Sequence, residues 1–280
     1  ILRRGKVVGT CTPREKSARE MAEMMVGATL NSPERPAGEL GEVSLEVRNL
    51  SVASANPFGT SLRDIGFAVR KGEVLGIGGV AGNGQDELLM ALSGEARTKR
   101  DSIQVNGTDI GEMGPNERRR LGLVTAPEER LGHAAAPDMS LMENALLSGD
   151  VRKGLTRKGF VDWGATRAFA QGIVEKFDVR TPGISTAARA LSGGNLQKFV
   201  LGREIMQDPE VIIVNQPTWG VDAAAAAFIR QALLDLAAKG AAVVVISQDI
   251  DEVMEVADRF AALNEGRLSP PVPTKGLTID

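Results

Sequence analysis

The sequence predicts an α/β protein built on a mostly parallel sheet, and three observations predict it. Short β-branched or apolar runs, "EVLGI" at 73–77, "VIIV" at 211–214 and "AAVVVI" at 241–246, have the continuity of strands covered on both faces. Helical stretches such as "QDELLMALSG" and "AAAAAFIRQALLDLAAK" separate them, and strands alternating with helices define this class. The first run passes through the glycine turn "GVAGNG" into a helix, the join in which backbone N–H groups approach a phosphate.

Taken in order, the chain opens on "LRRGKVVG", which reads as strand, Gly5 turn, strand. Near the other end "LNEGRLS" repeats the figure: Leu2 answers to Leu263, Gly5 to Gly266, and Lys6 to Arg267. The repeat, with a start in mid-strand at Ile1, implies two tandem copies of one domain, residues 1–30 being the tail of the first. "TPREKSAREMAEMMVG" is read as a helix capped by Thr12, with Ala18, Met21, Met24 and Met25 as its apolar stripe. Residues 31–42, rich in Pro, Gly and charge, are expected to be a linker. In "VSLEVRN" Val43, Leu45 and Val47 alternate with polar residues and give a half-buried strand. The segment 127–190 is mostly helical in pattern, with Phe169, Ile173 and Phe177 in helical phase, and is read as a helical insertion.

Composition bounds the function. Length alone allows one or two domains in 280 residues, with ample chain to bury a core. The 33 Lys and Arg against 36 Asp and Glu give no global basic bias, so no nucleic-acid partner is expected. The cluster "NERRRLG" is read as a solvated helix face. Cys11 stands alone, which excludes an internal disulfide and fits a reducing compartment. No apolar run approaches the roughly 18 to 20 residues that cross a bilayer, and no secretory segment opens the chain. The reading is a cytoplasmic chain.

The chemistry starts at the glycine turn. Gly79, Gly82 and Gly84 fit a phosphate cradle, with Asn83 between them. A lysine that reaches the phosphates and a hydroxyl that binds magnesium should follow, but Gln85 and Asp86 stand there. Alone, the turn reads equally as glycines that pack a helix on a strand.

"LSGGNLQK" at 191–198 is more specific. A serine and two glycines at a helix start leave bare amides at the positive end of the dipole, an anion site. With this motif the chain resembles the ATP-binding-cassette family, in which the serine and glycines contact the γ-phosphate held by the opposite domain. Ser192, Gly193 and Gly194 match, with Asn195, Leu196 and Gln197 continuing the helix.

The resemblance runs across most of 43–268, with 269–280 left as a C-terminal tail. It implies an ABC nucleotide-binding domain, a P-loop NTPase-like parallel sheet with a β subdomain and a helical subdomain at about 127–190. In "VIIVNQPTWGVD" Asn215 takes the place of the magnesium-linked aspartate and Gln216 that of the carboxylate that orients the attacking water. An amide accepts no proton, so Gln216 holds a water without acting as its base. Asp222 matches the aspartate of the inter-domain loop, Gln248 the switch histidine, and Glu128 the lever-loop glutamine. Phe58 is read either as the aromatic that stacks on adenine or as an ordinary loop residue, and His133 as a loop residue.

Five substitutions, Gln85, Asp86, Asn215, Gln216 and Gln248, thus fall at chemical positions, whereas the glycines and the LSGG helix start, which work through backbone, remain. The expectation is a dead hydrolytic site with weak ATP binding, because the lysine's charge-assisted bond, about 1.5 to 3 kcal/mol, is gone. Asp86 and Asn215 still offer one carboxylate and one neutral oxygen to a magnesium ion. The resemblance implies the second half of a double ATP-binding subunit of a bacterial sugar or nucleoside importer, nearer the nucleoside branch. Its partners would be the preceding domain, membrane permease subunits and, indirectly, a substrate-binding protein, at the cytoplasmic face of the inner membrane. The rivals are an RNA-associated cassette ATPase and an interaction module with no nucleotide function.

Overall fold

The computed structural model describes residues 1–3, 5–12, 14–16, 18–26 and 38–277. Most of the expected linker, 31–37, lies outside the described residues.

The chain begins with a hairpin, β1 (Leu2–Arg3) and β2 (Lys6–Val7), then helix α1 (Ala18–Val26). Thr12 does not cap that helix, which starts later; its carbonyl instead closes a turn by accepting from Glu15 N–H at 2.9 Å. Next come β3 (Val43–Val52), β4 (Leu62–Arg70), β5 (Val74–Gly78), α2 (Gln85–Ser93), β6 (Ile103–Val105) and β7 (Thr108–Asp109). The middle of the chain holds α3 (Pro115–Arg120), β8 (Leu123–Ala126), α4 (Leu141–Lys153), β9 (Thr156–Arg157), β10 (Phe160–Val161) and α5 (Trp163–Lys176). It ends with α6 (Gly193–Ile205), β11 (Val211–Asn215), α7 (Ala223–Ala238), β12 (Ala242–Ser247), α8 (Ile250–Val256), β13 (Arg259–Asn264), β14 (Arg267–Leu268) and β15 (Val272–Pro273).

The main sheet runs β14-β13-β5-β12-β11-β8, and its inner pairs are parallel. β15 adds an antiparallel edge beside β13. A second, antiparallel sheet, β4-β3-β6-β7, packs on one side of the first. Strand periodicity sorts the core. Ile212 and Val214 of β11 and Val243 and Val245 of β12 face the helices α4 to α7, while Val211, Ile213, Val244 and Ile246 face the second sheet and α2. All eight are fully buried, each worth about 1.5 to 3 kcal/mol in apolar transfer, so both faces of these strands are covered as their composition predicts.

The basic cluster on α3 corrects the expectation of a solvated face. Arg118 is fully buried, and its guanidinium donates to the carbonyls of Ala91 at 2.5 Å, Leu92 at 2.8 Å, Met113 at 3.0 Å and Gly111 at 3.1 Å. Two of those carbonyls belong to the last turn of α2, which has no helical donors left for them. Arg119 reaches across to Glu204 of α6 at 2.5 Å, where Arg203 (2.8 Å) and Ser148 (2.6 Å) also bond the same carboxylate. Burial alone would raise Glu204, but Arg119, Arg203 and Ser148 together hold it below the ordinary carboxylate value.

Candidate functional site

The glycine turn leaves β5 at Gly79 and enters α2 at Gln85. Gly84 has φ 109°, a conformation open to glycine and strained for any other residue, so the turn cannot be built without it. Neighbouring segments brace the turn at two points. Thr60 Oγ1 donates to the Gly82 carbonyl at 2.6 Å, and the Glu265 N–H donates to Asn83 Oδ1 at 2.7 Å.

Gln85 is turned into the loop and is 7% exposed. Its Nε2 donates to the Val80 carbonyl at 2.8 Å, and its Oε1 accepts the Asn83 N–H at 3.0 Å. A loop amide that would face a phosphate is therefore already bonded, and the neutral side chain supplies no charge. As arranged, Gln85 directs no charge towards a phosphate.

Asp86 points to the end of β11, where Asn215 Nδ2 donates to its Oδ1 at 3.2 Å. Asn215 is 1% exposed, and its own Oδ1 is buried with no partner among the described residues. The amide nitrogen thus faces the carboxylate, and the carboxylate and the free amide oxygen are two of the oxygen ligands a hard cation would need. Glu128 lies near enough that its carboxyl is raised, by burial first and then by Asp86, with Arg130 opposing. Among the described residues no group of three His, Cys, Asp or Glu is arranged to hold a metal.

Gln216 follows Asn215 with φ 51°, an uncommon backbone for a side chain of its size, and is 3% exposed. Its Oε1 lies 3.3 Å from Ser247 Oγ and 3.4 Å from the Gln248 N–H, while its Nε2 is buried and unpartnered among the described residues. What Gln216 has free is a donor, whereas a base needs an acceptor. Gln248 itself is exposed. The single Ser247 hydroxyl proton has a shorter acceptor in Glu252 at 2.8 Å, and Thr218 donates to the other oxygen of that carboxylate at 2.5 Å. These residues escaped the sequence reading, since a Ser, a Thr and a Glu far apart carry no local signal.

Phe58 stands in the loop after β3, 96% exposed, its N–H held by Asn56 Oδ1 at 3.0 Å. His133 Nε2 lies 2.9 Å from Glu95, at the wall of a cavity of about 820 Å³. That cavity joins Asp86, Glu128, Arg130, Gly193 and Trp219. The Arg130 guanidinium donates to the Trp219 carbonyl and closes one wall.

The LSGG segment starts α6. Ser192 is at the N-cap but makes no capping bond; its Oγ accepts from Asn195 Nδ2 at 2.9 Å. The first-turn amides are left to whatever approaches from outside. Gln197 is buried and donates to the Pro217 carbonyl at 2.9 Å, tying α6 to the segment after Gln216. Ser192 and Gly194 line a second cavity with Asp222, Arg180, Lys198 and Lys6. Asp222 caps α7, accepting from Ala225 N–H at 2.9 Å. The structure thus brings Gly79–Asp86, Glu128, Asn215, Gln216 and Gln248 into one region; the LSGG start borders both cavities, Gly193 lining the first with Asp86 and Glu128, and Ser192 and Gly194 the second with Asp222.

Strand, glycine turn, two-sided sheet and helical insertion define an ABC nucleotide-binding domain. Solved structures agree on the fold: an ATP-binding subunit of an ABC transporter superposes with a TM-score of 0.66 at 22% identity, over 82% of this chain and 90% of that one. A dimeric post-hydrolysis ATP-binding cassette bound to ADP and Pi gives 0.69 at 19% identity, over 83% and 100%. The family model described as ABC transporter matches residues 62–219, and the chain belongs to that family.

Among curated relatives, the glucose import ATP-binding protein TsgD13 of Haloferax volcanii is 39% identical over 96% of this chain and 49% of its own length. The nucleoside import ATP-binding protein NupA of Lactococcus lactis is 33% identical over 98% and 55%. The guanosine import ATP-binding protein NupO of Bacillus subtilis is 35% identical over 96% and 52%. The chain spans about half the length of the curated relatives it matches.

Proposed function

We propose that this chain is the C-terminal cassette of a tandem ATP-binding subunit of an importer, with a degenerate ATP site of its own. Its LSGG helix start would complete the ATP site whose phosphate loop belongs to the preceding cassette. The observation that carries this reading is the contrast between the two regions. Gln85 fills its own loop and Gln216 offers a donor where a base is needed, yet Ser192 leaves the α6 amides uncapped.

The tandem arrangement is supported by the first hairpin. β1 and β2 pair Leu2 with Val7 and Arg3 with Lys6; β13 and β14 pair Leu263 with Leu268 and Asn264 with Arg267. The turn glycines match too, Gly5 at φ 75° and Gly266 at φ 73°. Relatives of about twice this length agree with two copies.

Those relatives' names support a sugar or nucleoside as the imported solute. The partners on this reading are the preceding cassette, permease subunits and, through them, a substrate-binding protein, and the place is the cytoplasmic face of the bacterial inner membrane. No helix among the described residues is long and apolar enough to cross a membrane, so attachment would be peripheral. ATP is the nucleotide, and Asp86 with the Asn215 oxygen would be what remains to hold Mg2+ in this half.

Steady-state hydrolysis by the chain alone tests the degenerate site. No magnesium-dependent turnover is expected. A rate near about 1 per second, within the range of ordinary enzymes, would contradict it.

A further inference from the structure

Within the segment read as helical, the chain makes a two-stranded hairpin that the nucleotide chemistry does not use. β9 and β10 pair Thr156 with Val161 and Arg157 with Phe160, leaving only Lys158 and Gly159 to turn the chain. Both turn residues have positive φ, 50° and 82°, the two-residue turn whose twist matches the strands it joins. The hairpin therefore presents its side chains on a fixed frame.

What it presents is aromatic and basic. Phe160 is 80% exposed, and Trp163, at the start of α5, is 49% exposed. Around the hairpin stand Arg157, Lys158 and Arg167 against Asp162, in a chain whose net charge is −3, while Lys153 is taken up by Asp208 at 2.8 Å. Asp162 offsets one of these charges at most: its Oδ1 caps α5, and its Oδ2 makes a long ion pair with Arg157 at 3.9 Å, which leaves Lys158 and Arg167 in excess. Lys158, at the tip, is exposed.

We propose that this hairpin contacts the anionic headgroups of a membrane surface, with Phe160 and Trp163 entering the interface and Lys158 and Arg157 facing lipid phosphates. Aromatic rings with one wet edge, flanked by Lys and Arg, are the side chains that settle at the bilayer–water boundary. The local positive charge complements the negative cytoplasmic leaflet. Two exposed rings are too little for a stable protein interface, which covers roughly 800 Å² on each partner. The proposal rests on the importer reading for the cytoplasmic leaflet but needs no permease, so vesicle binding and ATPase assays fail separately.

The test is sedimentation of the chain with vesicles of phosphatidylcholine alone or with added phosphatidylserine, at low and high salt. Trp163 reports insertion directly in a Trp219→Phe background, because these are the two tryptophans. Binding to the phosphatidylserine vesicles with a blue shift of Trp163 emission is expected, weakening as salt rises. Lys158→Glu should lower the partition about tenfold or more, and Phe160→Ser several-fold, with unfolding midpoints unchanged because both side chains are exposed. Absence of binding to anionic vesicles would overturn the proposal, as would binding that neither variant alters. If the variants instead weaken only assembly with permease subunits in detergent, the hairpin serves a protein surface and the lipid proposal is wrong.

Discussion

Asn215 Nδ2 donates to Asp86 Oδ1 at 3.2 Å, joining the end of a central strand to the first turn of the helix after the glycine turn. An amide facing a carboxylate needs no cation between them. Two carboxylates would.

Asn215→Asp should therefore destabilise the chain by about 1 to 3 kcal/mol at neutral pH, from the lost bond and the new repulsion at a buried site. Millimolar Mg2+ should restore part of the loss by bridging the two carboxylates. Urea denaturation with and without the ion measures both effects. A variant as stable as the parent in the absence of Mg2+ would show that the pair does not hold this end of the sheet.

Gln85→Lys puts a cation where Gln85 now bonds Val80 and Asn83. ATP affinity should rise about tenfold, the yield of one charge-assisted bond of about 1.5 kcal/mol, with ADP gaining less. Calorimetric titration reads this. Unchanged affinity would mean that the turn no longer takes phosphate at all.

Glu252 gives a pH signature. Burial is the main cause that raises its carboxyl, opposed by the bonds from Thr218 and Ser247; Arg230 also lowers it and Asp249 raises it. A carboxyl raised in the folded state contributes stability that is fully present below its unfolded value, near 4.5, and is lost as pH rises through the folded value. Relative to Glu252→Gln, the parent should gain stability as pH falls from 7 towards 4.5. Parallel thermal unfolding curves across that range decide it, and a constant difference between the two proteins would contradict the shift.

The sequence carried the parallel sheet because Val211–Val214 and Ala242–Ile246 are apolar on both faces, a pattern few other environments produce. It carried the start of α6 because Ser192–Gly193–Gly194 has its meaning in the backbone alone. The hairpin inside 127–190 was illegible, since strands of two residues are shorter than any periodicity, although Lys158–Gly159 carries a turn signal. Arg118 was misread because exposure is the usual fate of a basic run, and only tertiary structure brings the orphan carbonyls of α2 to it. The substitutions at Gln85 and Gln216 were visible as letters. That Gln85 bonds its own loop, and that Gln216 has its oxygen engaged and its nitrogen free, needed coordinates.

The central claim is that this cassette serves another's ATP through Ser192 while its own site is idle. ATPase activity of the full-length polypeptide with its permease, comparing Ser192→Arg with Gln216→Ala, tests it most directly. Ser192 is exposed at the mouth of its cavity, so arginine there should fold normally and force bulk and charge into the shared site, nearly abolishing turnover. On this proposal Gln216→Ala should cost far less, because an amide at that position supplies no base. Equal losses from both variants, or full activity in Ser192→Arg, would contradict the account.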